Sequence, residues 1–159
     1  YVNNKDFLEA LIQYKKACAE AEDAGEEKPR VPDYIGKCIY QIATRLATKP
    51  NFSGYSYKDD MISDGIENCL LYMGNFNHEK SQNPFAYFTQ IIWYASLRRI
   101  QKEKKQMYIR FKSSQVMIAS GGTYSGDEVT LNLNTSADYM NSFVQDYEDK
   151  IAKDKEKKK

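Results

Sequence analysis

Apolar residues recur three or four positions apart through most of the chain, the spacing of an amphipathic helix. Residues 4–24 carry Phe7, Leu8, Leu11, Ile12, Tyr14, Cys18 and Ala21 in that rhythm, with Asn4 placed to cap the start. Ala24-Gly25, Pro29 and Pro32 end this first helix in a polar loop. From about Asp33, the residues Ile35, Ile39, Ile42, Ala43 and Leu46 form a second apolar stripe. Pro50, Gly54 and their Asn and Ser neighbours predict a loop. A third helix is expected from about Ser56 to Met73, burying Met61, Ile62, Cys69 and Leu70, and Gly74-Asn75-Phe76-Asn77 stops it. Residues 78–83 read as a polar loop.

The fourth helix is the most informative. Asn83 suits the N-cap and Pro84 the first helical position. Phe85, Phe88, Ile91, Ile92, Ala95 and Ile100 keep one side apolar, and no breaker intervenes before about Lys112. From Ser113 the texture turns to loop, with Val129, Leu131 and Leu133 alternating briefly as in a short strand. Residues 137–152 predict a short amphipathic helix with Tyr139, Met140, Phe143, Val144 and Tyr147, and Lys153 to Lys159 predict a disordered basic tail. The pattern predicts an all-α bundle over 1–112, an irregular extension over 113–152 and the tail over 153–159.

Composition fits this picture. The 159 residues are enough for one domain, and 42% hydrophobic content is enough for a modest core. The longest apolar run, Ile91 to Ala95, is far too short to cross a bilayer, so no membrane is expected as a partner. Three scattered cysteines (Cys18, Cys38 and Cys69) make neither a disulfide framework nor a zinc pattern, which suits a reducing cytoplasm. A single histidine, His78, leaves no two-histidine metal site, and no phosphate-cradling glycine motif is present. The first residue is Tyr1 rather than Met, so the N-terminus is expected either to be trimmed or to begin upstream of this residue. No catalytic residue, metal or cofactor is expected.

Net charge is only +1, but charge is sorted into blocks: −2 over 1–30, −1 over 31–96, +6 over 97–112, −6 over 113–149 and +4 over 150–159. Such blocks point to an electrostatic partner. Within the fourth helix, Tyr87, Trp93 and Tyr94 precede Arg98, Arg99, Lys102, Lys104 and Lys105. Basic side chains neutralise phosphates and aromatic faces stack unpaired bases, so the two needs of a nucleic-acid surface lie side by side. Tyr87 and Tyr94, seven apart, share a face, whereas Phe85, Phe88 and Ile92 point elsewhere and suit a core. The plainer alternative is an aromatic core stripe followed by a solvated lysine-rich end.

Met61-Ile62-Ser63-Asp64-Gly65-Ile66-Glu67-Asn68-Cys69-Leu70 and then Asn75-Phe76-Asn77 resemble the helix of bacterial sigma factor region 2 that docks on core RNA polymerase. Phe85-Ala86-Tyr87-Phe88 resembles the start of the promoter-melting helix, and Arg98-Arg99-Ile100 its basic continuation. Asn51-Phe52-Ser53-Gly54-Tyr55, Asn83 to Gln90, Arg99 to Glu103 and Tyr1 to Lys5 are similar to the late-gene branch of the family in T-even-like bacteriophages. The likeness covers most of residues 1–106 and fades beyond.

The resemblance implies a promoter-specificity subunit working in the bacterial host cytoplasm. Asp64, Glu67, Asn68 and Leu70 would grip the clamp helices of the largest subunit of host core polymerase. Phe85, Tyr87, Gln90, Trp93, Tyr94, Arg98, Arg99 and Lys102 would face promoter DNA, with Tyr87 stacking a flipped adenine. Primary sigma factors carry two adjacent tryptophans where this chain has Gln90-Ile91, which implies weaker melting or melting that leans on Trp93-Tyr94. No second helix-turn-helix domain is expected after Lys112, so a single A/T-rich, minus-10-like element would be read. A phage co-activator and the sliding clamp are the further partners implied. The lysine-rich end lacks the apolar clamp peptide, and Phe143-Val144 with Tyr147 are a weak substitute better suited to packing. Two other readings stay open: a standalone DNA-binding module, and a polymerase-binding regulator that does not touch DNA.

Overall fold

A computed structural model describes residues 2–121 and 137–158. Among the described residues the chain is all helical: α1 (Asn4–Asp23), α2 (Asp33–Ala47), α3 (Pro50–Ser53), α4 (Lys58–Tyr72), a 3₁₀ turn (Met73–Asn75), α5 (Pro84–Ala119) and α6 (Ala137–Glu156). They group into two compact units, Tyr1–Ile100 and Gln101–Lys159, with α5 contributing to both. The alternating segment at 129–133 lies outside the described residues.

The first unit is built by the stripes that the sequence shows. Phe7, Leu11 and Tyr14 of α1 are buried, as are Ile35, Ile39, Ile42, Ala43 and Leu46 of α2. Met61 and Cys69 enter from α4, and Phe88, Ile92 and Ala95 from α5. The Phe7 and Phe88 rings meet at 5.3 Å between centroids, joining the first helix to the fifth. Tyr14 donates to the Pro29 carbonyl at 3.0 Å and so anchors the proline loop on α1. Burial, then the nearby Cys18 thiol, pushes the Tyr14 hydroxyl up to about 12, so it stays a donor at any ordinary pH.

Several expectations are corrected. Asn3, not Asn4, caps α1, accepting from the amides of Lys5 (3.0 Å) and Asp6 (3.3 Å). Asn4 serves α5 instead: it accepts from the Phe85 amide and donates to Asn83, each at 3.1 Å. Asn83 caps α5 as expected, accepting from the Ala86 amide at 3.0 Å. The two asparagines therefore satisfy the start of α5 from elements 79 residues apart. The predicted loop at Pro50 contains a turn of helix that buries Phe52, because a large aromatic in a polar run gains more by inserting than by staying wet. Ile12, Leu70 and Phe85 are exposed although their periodicity suggested burial.

The second unit pairs the end of α5 with α6. Gln115 donates to Asn141 at 2.6 Å, Phe111 meets Phe143 edge-on at 5.5 Å, and Tyr108 stacks on Tyr147 at 4.5 Å. Partners move down α5 as they move up α6, so the two run antiparallel. This packing explains why α5 passes through Ser113-Ser114 to Ala119 rather than stopping near Lys112: tertiary contact overrides weak local propensity. Gly121, with φ of 74°, turns the chain just beyond that end. α6 likewise runs to Glu156, four residues into the tail expected to be disordered, with Lys153 and Lys155 favouring its negative end.

Tyr108 and Lys112 both donate to Glu148 at 2.8 Å. The bond from Lys112 first, then that from Tyr108, holds the Glu148 carboxyl below its ordinary range. The same carboxylate raises the Tyr108 hydroxyl and the Lys112 ammonium. A lowered acid stabilises above its unfolded pKa, about 4.3, and that help fades as pH falls through the folded value. The two raised groups stabilise below their unfolded values, near pH 10, and lose that as pH rises through the folded ones. We therefore predict that the tyrosine near-UV circular dichroism of this unit is steady around neutrality and weakens at both extremes. Glu148→Gln should flatten the acid limb; an unchanged acid limb would contradict the assignment.

Candidate nucleic-acid interface

Within the first unit, α4 and the first part of α5 lie antiparallel along a seam of small and polar groups. A Cβ built on Gly65 would sit 2.9 Å from Cγ2 of Ile92, so the helices approach closely only because residue 65 has no side chain. One turn on, the Cys69 thiol faces the Phe88 carbonyl at 3.9 Å. Burial pushes that thiol up to about 12, so it packs as a small apolar group and stays protonated.

Above this contact the two helices are tied by polar groups. Arg99 donates through Nε and Nη2 to the two carboxylate oxygens of Asp64, at 2.6 and 2.8 Å. Arg98 donates to Asn68 Oδ1 at 2.9 Å, and Asn68 donates in turn to the Asp64 carbonyl at 2.7 Å. At the other end Tyr87 donates to the Tyr72 carbonyl at 2.9 Å. A forked arginine–carboxylate pair adds both energy and register, and its side chains here are mostly shielded from water.

The structure sorts the residues singled out from sequence into different settings. Tyr87, Gln90, Tyr94 and Arg98 fall at intervals of three and four, on one side of α5. Gln90, Tyr94 and Arg98 are exposed, Tyr94 to 51%, and Tyr87 is half-buried. This stripe spans about 16 Å of helix. The Tyr87 ring leans on Phe76 and Phe88 with centroids at 5.2 and 5.1 Å. Burial, then Cys69, raises its hydroxyl pKa, so it remains the protonated donor to Tyr72. Its position is thus fixed by packing and by one hydrogen bond, and part of its surface still meets solvent.

The other residues lie elsewhere. Trp93 is half-buried, edge-on against Phe52 at 4.8 Å. Phe85 lies toward the opposite side of α5 from the stripe, in a cleft of about 110 Å³ with Val2, Ile42, Leu46 and Thr89. Asp64 and Asn68, expected to reach a partner, and Arg98 and Arg99, expected to reach phosphates, are bonded to one another across the seam. Lys102 is exposed and belongs to the second unit. Glu67 is exposed, and so is Leu70 at 45%.

Sequence reasoning missed the apolar patch that continues from Leu70. Leu71 is 69% exposed and Tyr72 is exposed beside it. Three successive large apolar residues cannot share one helical face, so some had to point outward. The cross-helix pairing of Asp64 with Arg99 also went unseen, since residues 35 apart carry no local signal.

No family model matches the chain, and no curated protein matches it. Among the described residues no cluster of three or more His, Cys, Asp or Glu side chains could hold a metal ion. No described helix is long and apolar enough to cross a membrane.

Two stability experiments probe the seam. Gly65→Ala should cost about 1–3 kcal/mol in urea unfolding, because β-branched Ile92 cannot swing its methyl away. Combining it with Ile92→Ala should cost less than the two single changes added together. A double-mutant cycle of Asp64→Asn and Arg99→Gln should give a coupling on the order of 1–2 kcal/mol. Additive effects would mean that the pair does not hold the helices.

Proposed function

We propose that the chain is a sigma factor of the late-gene type found in T-even-like bacteriophages. On this reading it directs host core polymerase to late promoters by recognising and melting an A/T-rich minus-10-like element. It carries no catalytic group of its own. What supports the reading, beside the sequence resemblance, is the stripe of Tyr87, Gln90, Tyr94 and Arg98 on α5, which packs on the Gly65-Cys69 side of α4 and leaves Glu67, Leu70 and Leu71 of that helix exposed.

The chemistry follows from that juxtaposition. Extracting a base from duplex DNA costs a few kcal/mol. A held aromatic ring loses little entropy on stacking, and each stacked base is worth about 1–3 kcal/mol. Tyr87 is such a ring, clamped by Phe76, Phe88 and the Tyr72 carbonyl. Tyr94 extends the platform, and Arg98 adds a cation at its end. With Gln90-Ile91 in place of a tryptophan pair, the wedge against the last base pair is reduced, and polymerase must supply more of the opening energy. Glu67, Leu70 and Leu71 are free to meet a helical partner, apolar contact giving affinity and the acid giving register. Asp64 and Asn68 would act behind them by keeping α4 in place. A co-activator and the sliding clamp complete the assembly in this reading.

Two variants test it in promoter-dependent run-off transcription with core polymerase. Tyr87→Ala should retain core binding, lose opening of duplex promoters by at least tenfold, and lose less on a pre-melted bubble. Tyr87→Phe keeps the ring and removes only the bond to Tyr72, and should retain most activity. Equal losses on duplex and bubble templates would overturn base capture. Leu70→Arg, at an exposed position, should leave the thermal melt unchanged and abolish copurification with core polymerase. Normal copurification of that variant would overturn the docking surface.

A further inference from the structure

The antiparallel register of the second unit has an electrostatic result. Gln115 lies opposite Asn141, Phe111 opposite Phe143, and Tyr108 opposite Tyr147. At 1.5 Å per residue on both helices, Lys105, Lys104 and Lys102 come abreast of about residues 150 to 153 of α6. Two basic blocks some 50 positions apart in the chain thereby converge at one end of the helix pair. Over 101–106 and 149–158 together that end holds eight lysines against four acids. The other end sets Arg110 and Lys112 against Asp138, Asp146 and Glu148. Lys102, Lys104, Lys105, Lys153, Lys155 and Lys157 are all exposed, and among the described residues none of the six enters an ion pair.

We infer that this lysine-rich end is a second DNA contact, one that grips the phosphate backbone of duplex DNA without reading sequence. The choice of DNA as the polyanion rests on the function proposed above; the surface itself does not involve the Tyr87 stripe. Composition favours a duplex over a single strand. No Phe, Tyr or Trp occurs in 101–106 or 149–158, so nothing there can stack an unpaired base. It also disfavours a lipid surface, because Ile151 is the one large apolar residue available for insertion. A helix pair that presents ammonium groups from both members can track phosphates along a strand, and each neutralised phosphate releases counterion.

The test uses the full chain, free of polymerase, on a random-sequence 20-base-pair duplex across salt concentrations. Six phosphate contacts should weaken binding about a thousandfold between 50 and 200 mM salt. Lys102→Gln/Lys104→Gln/Lys105→Gln and Lys153→Gln/Lys155→Gln/Lys157→Gln should each lower the log–log salt slope by about three. Unchanged far-UV circular dichroism would confirm that both variants stay folded. The slope is read on random duplex without polymerase, whereas base capture is read only in promoter-dependent transcription, so failure of one and failure of the other are distinguishable. A slope that responds to only one triple variant would overturn the composite surface. Lysine-dependent binding to single-stranded RNA or phosphatidylserine vesicles, without duplex binding, would overturn duplex DNA as the occupant.

Discussion

The first unit depends on how closely α4 and α5 can approach. Gly65 lets Ile92 into the groove and so sets the close spacing of the two backbones. Across the same seam Arg99 reaches both oxygens of Asp64 and Tyr87 reaches the Tyr72 carbonyl. The close contact and the forked ion pair reinforce each other: one removes space, the other fixes the sliding register. Helical spacing puts Tyr87, Gln90, Tyr94 and Arg98 on one side of α5, and the bonds of Tyr87 and Arg98 to α4 hold that side along the edge of the seam.

This arrangement changes the meaning of several polar residues. An acid on a helix surface and an arginine in a basic run invite separate roles, one toward a protein and one toward phosphate. Here Asp64 and Arg99 meet each other, and Asn68 joins Arg98 to the same network. The contribution of Asp64, Asn68 and Arg99 is positional. On the proposed reading, the groups that meet partners are Glu67, Leu70 and Leu71 on α4, and Tyr87, Gln90, Tyr94 and Arg98 on α5. In the proposed promoter-opening reading, the polymerase side and the DNA side are joined by a seam that neither partner needs to assemble.

Charge is handled differently in the two units. In the first, the basic residues at 98 and 99 are tied down by acceptors on α4. In the second, the acidic run of the sequence divides: Glu148 takes Lys112 and Tyr108, while α6 carries its own lysines past that point to the level of Lys102–Lys105. A nearly neutral chain thus carries a strongly cationic end on one helix pair.

Helix positions were largely legible from spacing alone. The α2 stripe, the Asn83-Pro84 start of α5 and the α6 segment are local signals, because a helix bonds residue to residue within one turn. Aromatic and basic groups on α5 were equally visible, since composition is readable without coordinates. What required the tertiary structure were the relations between distant residues. Asn4 bonding the start of α5, Phe52 turning inward, Asp64 choosing Arg99, and α5 continuing past Ser113 on the strength of α6 all depend on a neighbour brought close by folding. Periodicity states which side of a helix is apolar; it cannot state what lies against that side, and the identity of that neighbour decides whether a tyrosine is core or platform and whether an arginine is a tie or a grip.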